Sequence, residues 1–474
     1  MYDDFIKKRL KLICAEKEDV IMKMPKQSKD LNAYLNQHFL CDCGREHYAS
    51  LRAVRIGEGA LEELPKLVKI MGFQSLYLIS DHITYSIAGN QCANILTEAG
   101  IPNKIVQLSH MGFDEATLGE LTIQMPENCD LIIAVGTGAI NDIARYFSYK
   151  MNRPFCTVAT AAPMDGFASS IAAIQVNHLK TTFDAQTPIA IIGDTNILKS
   201  APYSMIAAGL GDLLGKFTCL CDWKLAHIIT GEHCCEHIIE LMESCATNIL
   251  ADADKVKERD PETLGKVMEG LVLAGVAMSL YGNSRPASGC EHHMSHYWEM
   301  MFEQSGKKPV PHGTQVGVGT VLVLKLVEQL LRTDVDFDAA RAAARAYDLV
   351  EWKENIRIAY GPAADGVIAM EAKSQKNATA DRLKRIDTMQ ARWAEITALL
   401  KTLPSSQRIM SLLRSLESPC LPSEIAVDST MLKNTFLYCK EVRARYTILQ
   451  MVWDLGLLDR LSDNVISDLL DEKD

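Results

Sequence analysis

Between about residues 50 and 195 the chain alternates short apolar runs with segments of helical length, and no other feature limits its fold as strongly. Ser75 to Asp81, Asn103 to Leu108, Asp130 to Val135 and Pro154 to Thr160 read as strands, and intervening stretches such as Ala88 to Ala99 have the length of helices. Strands separated by helices pair in parallel, and a parallel sheet is covered on both faces, which suits near-continuous apolar runs. Past about Ser200 the strand signal fades. Residues 207–230, 261–281, 314–331, 338–346, 381–400 and 431–455 read as helices, interrupted at Gly361-Pro362 and from Pro419 to Pro422. The expected organisation is a helical N-terminal extension over 1–40, a nucleotide-binding Rossmann-like α/β domain over 41–195, and an all-helical metal- and substrate-binding domain over 196–474. A cleft between the two domains is the expected place for a site.

Composition narrows the function. A formal net charge of −11 over 474 residues offers no cationic face to a nucleic-acid backbone, so no nucleic-acid partner is expected. The longest apolar stretch, around Leu271 to Leu280, reads as a buried helix too short to span a bilayer. Fourteen cysteines and a charged start without a secretory core point to the cytoplasm and reduced thiols. Cys41-Asp42-Cys43-Gly44-Arg45-Glu46-His47 has donors for zinc but lacks a fourth ligand, and reads as a turn with two partly buried thiols before a strand.

Three segments carry candidate chemistry. The strand ending at Val135 runs into Gly136-Thr137-Gly138-Ala139-Ile140-Asn141-Asp142, a turn whose amides can meet a pyrophosphate at a helix start; a tight turn needing positive φ would use the same glycines. Asp81 ends an earlier strand, where it would accept from a ribose hydroxyl or cap the next helix. Thr160 to Ser170, with Asp165 and Ser169, lies just past a strand end, where open α/β sheets bind ligands, though an ordinary turn would look the same.

In the helical half, His292 and His296 share a helix face at i, i+4, and His312 stands between Pro311 and Gly313 at a turn or helix start. Asp212 sits in an apolar helical stretch between glycines, where a carboxylate needs a partner; a divalent ion held by Asp212, His292 and His312 would be one, and a capping role is the alternative.

Taken together, Gly136-x-Gly138-x-x-Asn141-Asp142, Asp165-Gly166-x-x-Ser169, Gly209-x-Gly211-Asp212, His292-x-x-x-His296 and His312-Gly313 resemble the sn-glycerol-1-phosphate dehydrogenase family, in its bacterial AraM-type branch. That family lies within the group of iron-containing alcohol dehydrogenases, glycerol dehydrogenases and dehydroquinate synthases, and the resemblance covers about residues 40 to 345. It implies a dehydroquinate-synthase-like fold, NAD or NADP as cofactor, and one divalent metal, zinc or nickel, on Asp212, His292 and His312. It places Gly136, Thr137, Gly138, Asn141 and Asp142 at the cofactor's pyrophosphate, Asp81 and Thr160 near its adenosine half, and Asp165 and Ser169 beside nicotinamide and substrate. The implied reaction is the reversible reduction of dihydroxyacetone phosphate to sn-glycerol 1-phosphate, an entry to phospholipid metabolism, with His296 relaying a proton. A cytoplasmic homodimer is expected. Arg285 or Lys216 would suit the substrate phosphate, a helix-capping role for the arginine being the alternative. Where iron enzymes carry a fourth ligand, four residues after the aspartate, this chain has Lys216. The enzyme alternatives are a glycerol dehydrogenase acting on unphosphorylated polyols and a dehydroquinate-synthase-like cyclase; a non-catalytic sensor is the alternative of another class.

Overall fold

The structure is a computed structural model and describes residues 22–25, 31–109, 114–176 and 179–471. Its packing divides into two compact units. One comprises the described residues through Gly209 together with Ala251–Asn283, and the other comprises Leu210–Leu250 and Ser284–Asp474 as far as described. The division differs from the segmentation read from the sequence, because the helix Pro261–Tyr281 packs with the α/β part: a Cβ at Gly275 would lie 2.6 Å from Ala168 Cβ.

In the first unit, β1 (Met22–Lys23), β2 (His38–Leu40) and β3 (Glu46–Tyr48) form a small sheet. Most of the helical extension expected over 1–40 lies outside the described residues. The described remainder is β1, a 3₁₀ turn (Leu31–Tyr34) and β2.

The main sheet has β4 (Ala53–Gly57), β5 (Leu76–Ser80), β6 (Asn103–Gln107), β7 (Leu131–Gly136), β8 (Phe155–Ala159) and β11 (Ala190–Asp194), in the order β4-β11-β8-β7-β5-β6 and parallel throughout. All five residues of β5, β8 and β11 and all six of β7 are buried, as a sheet covered on both faces requires. Side chains alternate between two cores: Leu76, Leu78, Ile133 and Val135 enter one, and Tyr77, Ile79, Ile132 and Ala134 the other. The helices α1 (Leu64–Ile70), α2 (Asn90–Glu98), α3 (Glu115–Gln124) and α4 (Gly138–Lys150) connect the strands. A hairpin of β9 (Ile171–Val176) and β10 (Leu179–Asp184) follows the Asp165 loop.

In the second unit, helices are the only regular elements among the described residues. Five long helices dominate the two units: α5 (Tyr203–Thr230), α6 (Glu236–Val256), α7 (Pro261–Tyr281), α8 (Cys290–Gln304) and α9 (His312–Leu331). By length and composition α5, α7 and α9 would be long enough to cross a membrane, so shortness does not exclude it as the sequence reading had it; 83%, 72% and 83% of their apolar windows are buried inside the protein.

Glycine sets how closely the site-bearing helices approach. A Cβ on Gly211 would lie 2.5 Å from the Gly313 carbonyl oxygen, one on Gly215 2.7 Å from Val316 Cγ1, and one on Gly319 2.8 Å from the Glu291 carbonyl oxygen. These contacts press α5, α8 and α9 together at the level of Asp212, His292 and His312. Gly211→Ala is therefore expected to destabilise the protein by about 1–3 kcal/mol in a urea titration, with reduced metal content. An unchanged midpoint would contradict this account of the packing.

Candidate active site

The second unit gathers all four of its predicted site residues. Asp212 lies within α5, His292 and His296 sit one turn apart on α8, and His312 is the first residue of α9, entered through Pro311. Ligand atoms of Asp212, His292 and His312 all lie within 4.8 Å of one another, with His292 Nε2 3.6 Å from Asp212 Oδ1. The His292 and His312 ring centroids are 5.3 Å apart, and the His296 ring is 5.4 Å from that of His312.

Supporting groups orient these side chains. His292 Nδ1 donates to Glu291 Oε1 at 2.7 Å, which turns its Nε2 toward Asp212. Glu291 also accepts from the Thr218 hydroxyl and the Gly289 amide, both at 2.7 Å. Glu299 lies between His312 Nδ1 (2.9 Å) and His296 Nδ1 (3.3 Å), and the Ser295 hydroxyl is 3.1 Å from His312 Nδ1. An imidazole held from behind by a carboxylate is the arrangement that fixes a metal-binding histidine. Asp222 anchors the start of α8 by accepting from the Cys290 amide at 2.7 Å, and burial pushes its carboxyl up to about 7.

Electrostatics favour a cation here. Asp212 and Lys216 have no exposed side-chain surface, and Lys216 Nζ donates to Asp212 Oδ1 and to the Ala287 carbonyl, both at 2.9 Å. Burial alone would raise the Asp212 pKa, but the Lys216 charge and His292 hold it below the usual carboxylate range. Burial would lower His292, yet its bonds to Asp212 and Glu291 raise it to about 9. Glu291 and Glu299 are both held below their ordinary value by the neighbouring histidines against burial. Three carboxylates facing one ammonium leave a formal surplus of negative charge, which either imidazole protons or one divalent ion must balance. The donor set of one carboxylate and two imidazoles fits such an ion, and Lys216 fills the place where a fourth ligand would stand.

The first unit gathers the expected nucleotide residues at the C-terminal ends of the neighbouring strands β5, β7 and β8. The Thr160 amide donates to the Gly136 carbonyl (3.2 Å), closing β8 onto the glycine turn. Neither Gly136 nor Gly138 has a positive φ. A Cβ on Gly136 would lie 2.6 Å from Ile140 Cβ, so tight packing under the helix start demands glycine there. Thr137 precedes α4 as its N-cap residue without a side-chain bond. Asn141 is buried and accepts from the Thr157 hydroxyl at 2.6 Å, which fixes α4 to β8. Asp142 pairs with Arg145, whose guanidinium also donates to the carbonyls of Gly166 (2.6 Å), Phe167 (3.1 Å) and Ile171 (2.9 Å). That clamp places the Asp165 loop beside the glycine turn. Asp81 caps the turn after β5, its Oδ1 accepting from the Ile83 and Thr84 amides at 2.8 and 2.7 Å. The Ser169 hydroxyl bonds the Ile171 backbone.

The family of iron-containing alcohol dehydrogenases matches residues 55–202. A protein of Halalkalibacterium halodurans named glycerol-1-phosphate dehydrogenase (NAD(P)+) is 36% identical over 302 residues, covering 62% of this chain and 76% of its own length. One of Geobacillus stearothermophilus with the same name is 31% identical over 422 residues, covering 88% and 96%. The chain belongs to the glycerol-1-phosphate dehydrogenase family. Its fold is that of a crystal structure of glycerol dehydrogenase from Schizosaccharomyces pombe, with a TM-score of 0.58 at 15% identity over 89% of this chain and 92% of the other.

For a member of this family, sequence reasoning missed Glu291, Glu299 and Arg145. Glu299 was within reach, standing three residues after His296 and seven after His292 on the same helical face. The two candidate phosphate partners are committed elsewhere. Lys216 faces Asp212, and the buried Arg285 donates to Glu232 at 2.9 and 3.1 Å and to the Tyr446 carbonyl at 2.8 Å.

Removing Asp212 strands Lys216. Asp212→Asn is expected to lower stability by about 3 kcal/mol, the cost of an unpaired buried charge, and to lower the metal content. Adding Lys216→Met should recover the stability but not the metal. Urea unfolding and elemental analysis check this pair, and a metal content in Asp212→Asn equal to that of the wild type would contradict the ligand assignment.

Proposed function

We propose that this glycerol-1-phosphate dehydrogenase family member catalyses the metal-dependent, NAD(P)H-linked, reversible reduction of dihydroxyacetone phosphate to sn-glycerol 1-phosphate. The observation that carries the proposal is the convergence of Asp212, His292 and His312 in a chain whose relatives bear that enzyme name.

Asp212, His292 and His312 would hold the ion, zinc or nickel by donor type, with Glu291 and Glu299 fixing the imidazoles. Bound there, a divalent ion supplies Lewis acidity toward a carbonyl, and a reduced nicotinamide supplies hydride. The chain's residues do the rest. Gly136, Thr137, Gly138 and Asp142 form the turn for the pyrophosphate, whose charge the start of α4 favours. Asn141 and Arg145 stiffen that turn from beneath. Thr160 and Asp81 stand near the adenosine half, and Asp165 and Ser169 near nicotinamide and substrate. Asp81's capping oxygen is spent on its helix, which leaves its other oxygen for a ribose hydroxyl and tilts the choice toward NAD. His296 is partly exposed and bonded at Nδ1 to Glu299, so its Nε2 can take up a proton in the oxidation direction and, as the imidazolium that Glu299 stabilises, return it in the reduction.

A cytoplasmic location with reduced thiols belongs to this reading. A homodimer is part of the same reading.

Oxidation of reduced nicotinamide tests the proposal. Dihydroxyacetone phosphate should support it, unphosphorylated dihydroxyacetone much less, and prior chelation should abolish it until zinc or nickel is restored. His296→Ala should lower kcat by about 10²-fold or more with metal content unchanged. Full turnover by metal-free protein, or none with either substrate in the metal-loaded enzyme, would overturn it.

A further inference from the structure

The turn joining β2 to β3 carries a second convergence of metal-binding donors, with no part in the chemistry above. The Cys41 amide donates to the Arg45 carbonyl (3.2 Å) and the Gly44 amide to the Cys41 carbonyl (3.0 Å), a tight reversal in which Gly44 takes a φ of +84°. The reversal folds Cys43 back so that its amide points at Cys41 Sγ from 3.5 Å, a contact that favours a thiolate. His47 follows on β3 and is 1% exposed. Its Nδ1 lies 2.7 Å from the Leu280 carbonyl oxygen, which can only accept, so the neutral ring carries its proton there. The lone pair of Nε2 then faces Cys43 Sγ at 3.3 Å. The two sulfurs and the ring nitrogen all lie within 4.8 Å of one another.

We propose that Cys41, Cys43 and His47 bind a structural zinc ion, distinct from the ion at Asp212. Two thiolates and an imidazole suit zinc, and a sulfur and a nitrogen on one tetrahedral zinc stand about 3.5 Å apart, close to the separation found. The backbone carbonyl behind His47 is the support that fixes a ligating imidazole and its tautomer. A hydrogen bond between Cys43 and His47 alone would leave unexplained why the Cys41 sulfur converges on the same point. Three side chains supply three corners of the tetrahedron, and a further donor completes it. The ion would tie the β2–β3 hairpin to the end of α7 through His47 and Leu280, a gain for a sheet of three very short strands.

The two ions differ in ligand chemistry, and that difference is the test. The Asp212 site offers oxygen and nitrogen only, so a thiolate-to-metal charge-transfer band in the cobalt-substituted full-length protein reports the Cys41 site. Wild-type protein should carry two equivalents of divalent metal per chain, at least one of them zinc, and show the band after cobalt exchange. Asp212→Asn should lose one equivalent, keep the band and lose turnover. Cys41→Ser/Cys43→Ser should lose the other equivalent and the band while still oxidising reduced nicotinamide. One equivalent in the wild type with no band, or a band that survives the double serine change, would overturn the proposal. Should the double variant fail to fold, the wild-type and Asp212→Asn proteins decide the matter through stoichiometry and band alone.

Discussion

A carboxylate with no exposed surface has to be met by positive charge, and the arrangement of the second unit follows from meeting that need at Asp212. An isolated buried carboxylate would cost several kcal/mol. Lys216 answers part of the demand directly at 2.9 Å. Yet Glu291 and Glu299 stand behind the two nearest imidazoles, so the neighbourhood remains short of one cation. The bonds of His292 to Asp212 and Glu291 raise its affinity for a proton, and proton and metal ion compete for the same lone pair.

That electrostatic demand can be met by three helices only if they come close, and glycine permits it. Gly211 admits the Gly313 carbonyl, and Gly319 admits the Glu291 carbonyl. Each contact lies one residue from a proposed ligand: Gly211 beside Asp212, Gly313 beside His312, Glu291 beside His292. Packing and ligation are therefore one geometric problem, in which a methyl group at the helix contacts would move the donors as well as the backbone. The glycine turn after β7 works on the same principle, with Ile140 packed under Gly136 and the Arg145 guanidinium tying the Asp165 loop to the start of α4.

Much of this was legible in the sequence where local chemistry is unambiguous. The strands β5, β6, β7 and β8 were readable because apolar runs of strand length end in turn residues. Asp212 stood out because a carboxylate among leucines and glycines needs a reason, and His292, His296 and His312 because of their spacing. The hairpin of β9 and β10 was not readable: its pairing has neither an Asn-Gly turn nor a strict alternation to announce it. Glu291 was hidden for another reason. Its anchorage comes from a helix far away in sequence, Thr218 bonding it across 73 positions. The Cys41 turn was read as two thiols before a strand, and only the fold shows the ring of His47 turned back over Cys43.

Anomalous diffraction from crystals of the purified protein, recorded at the zinc and nickel absorption edges, tests the central claim most directly. The account predicts a peak about 2.0–2.2 Å from a carboxylate oxygen of Asp212 and from ring nitrogens of His292 and His312. Fully active crystals with no metal peak among these three side chains would contradict it.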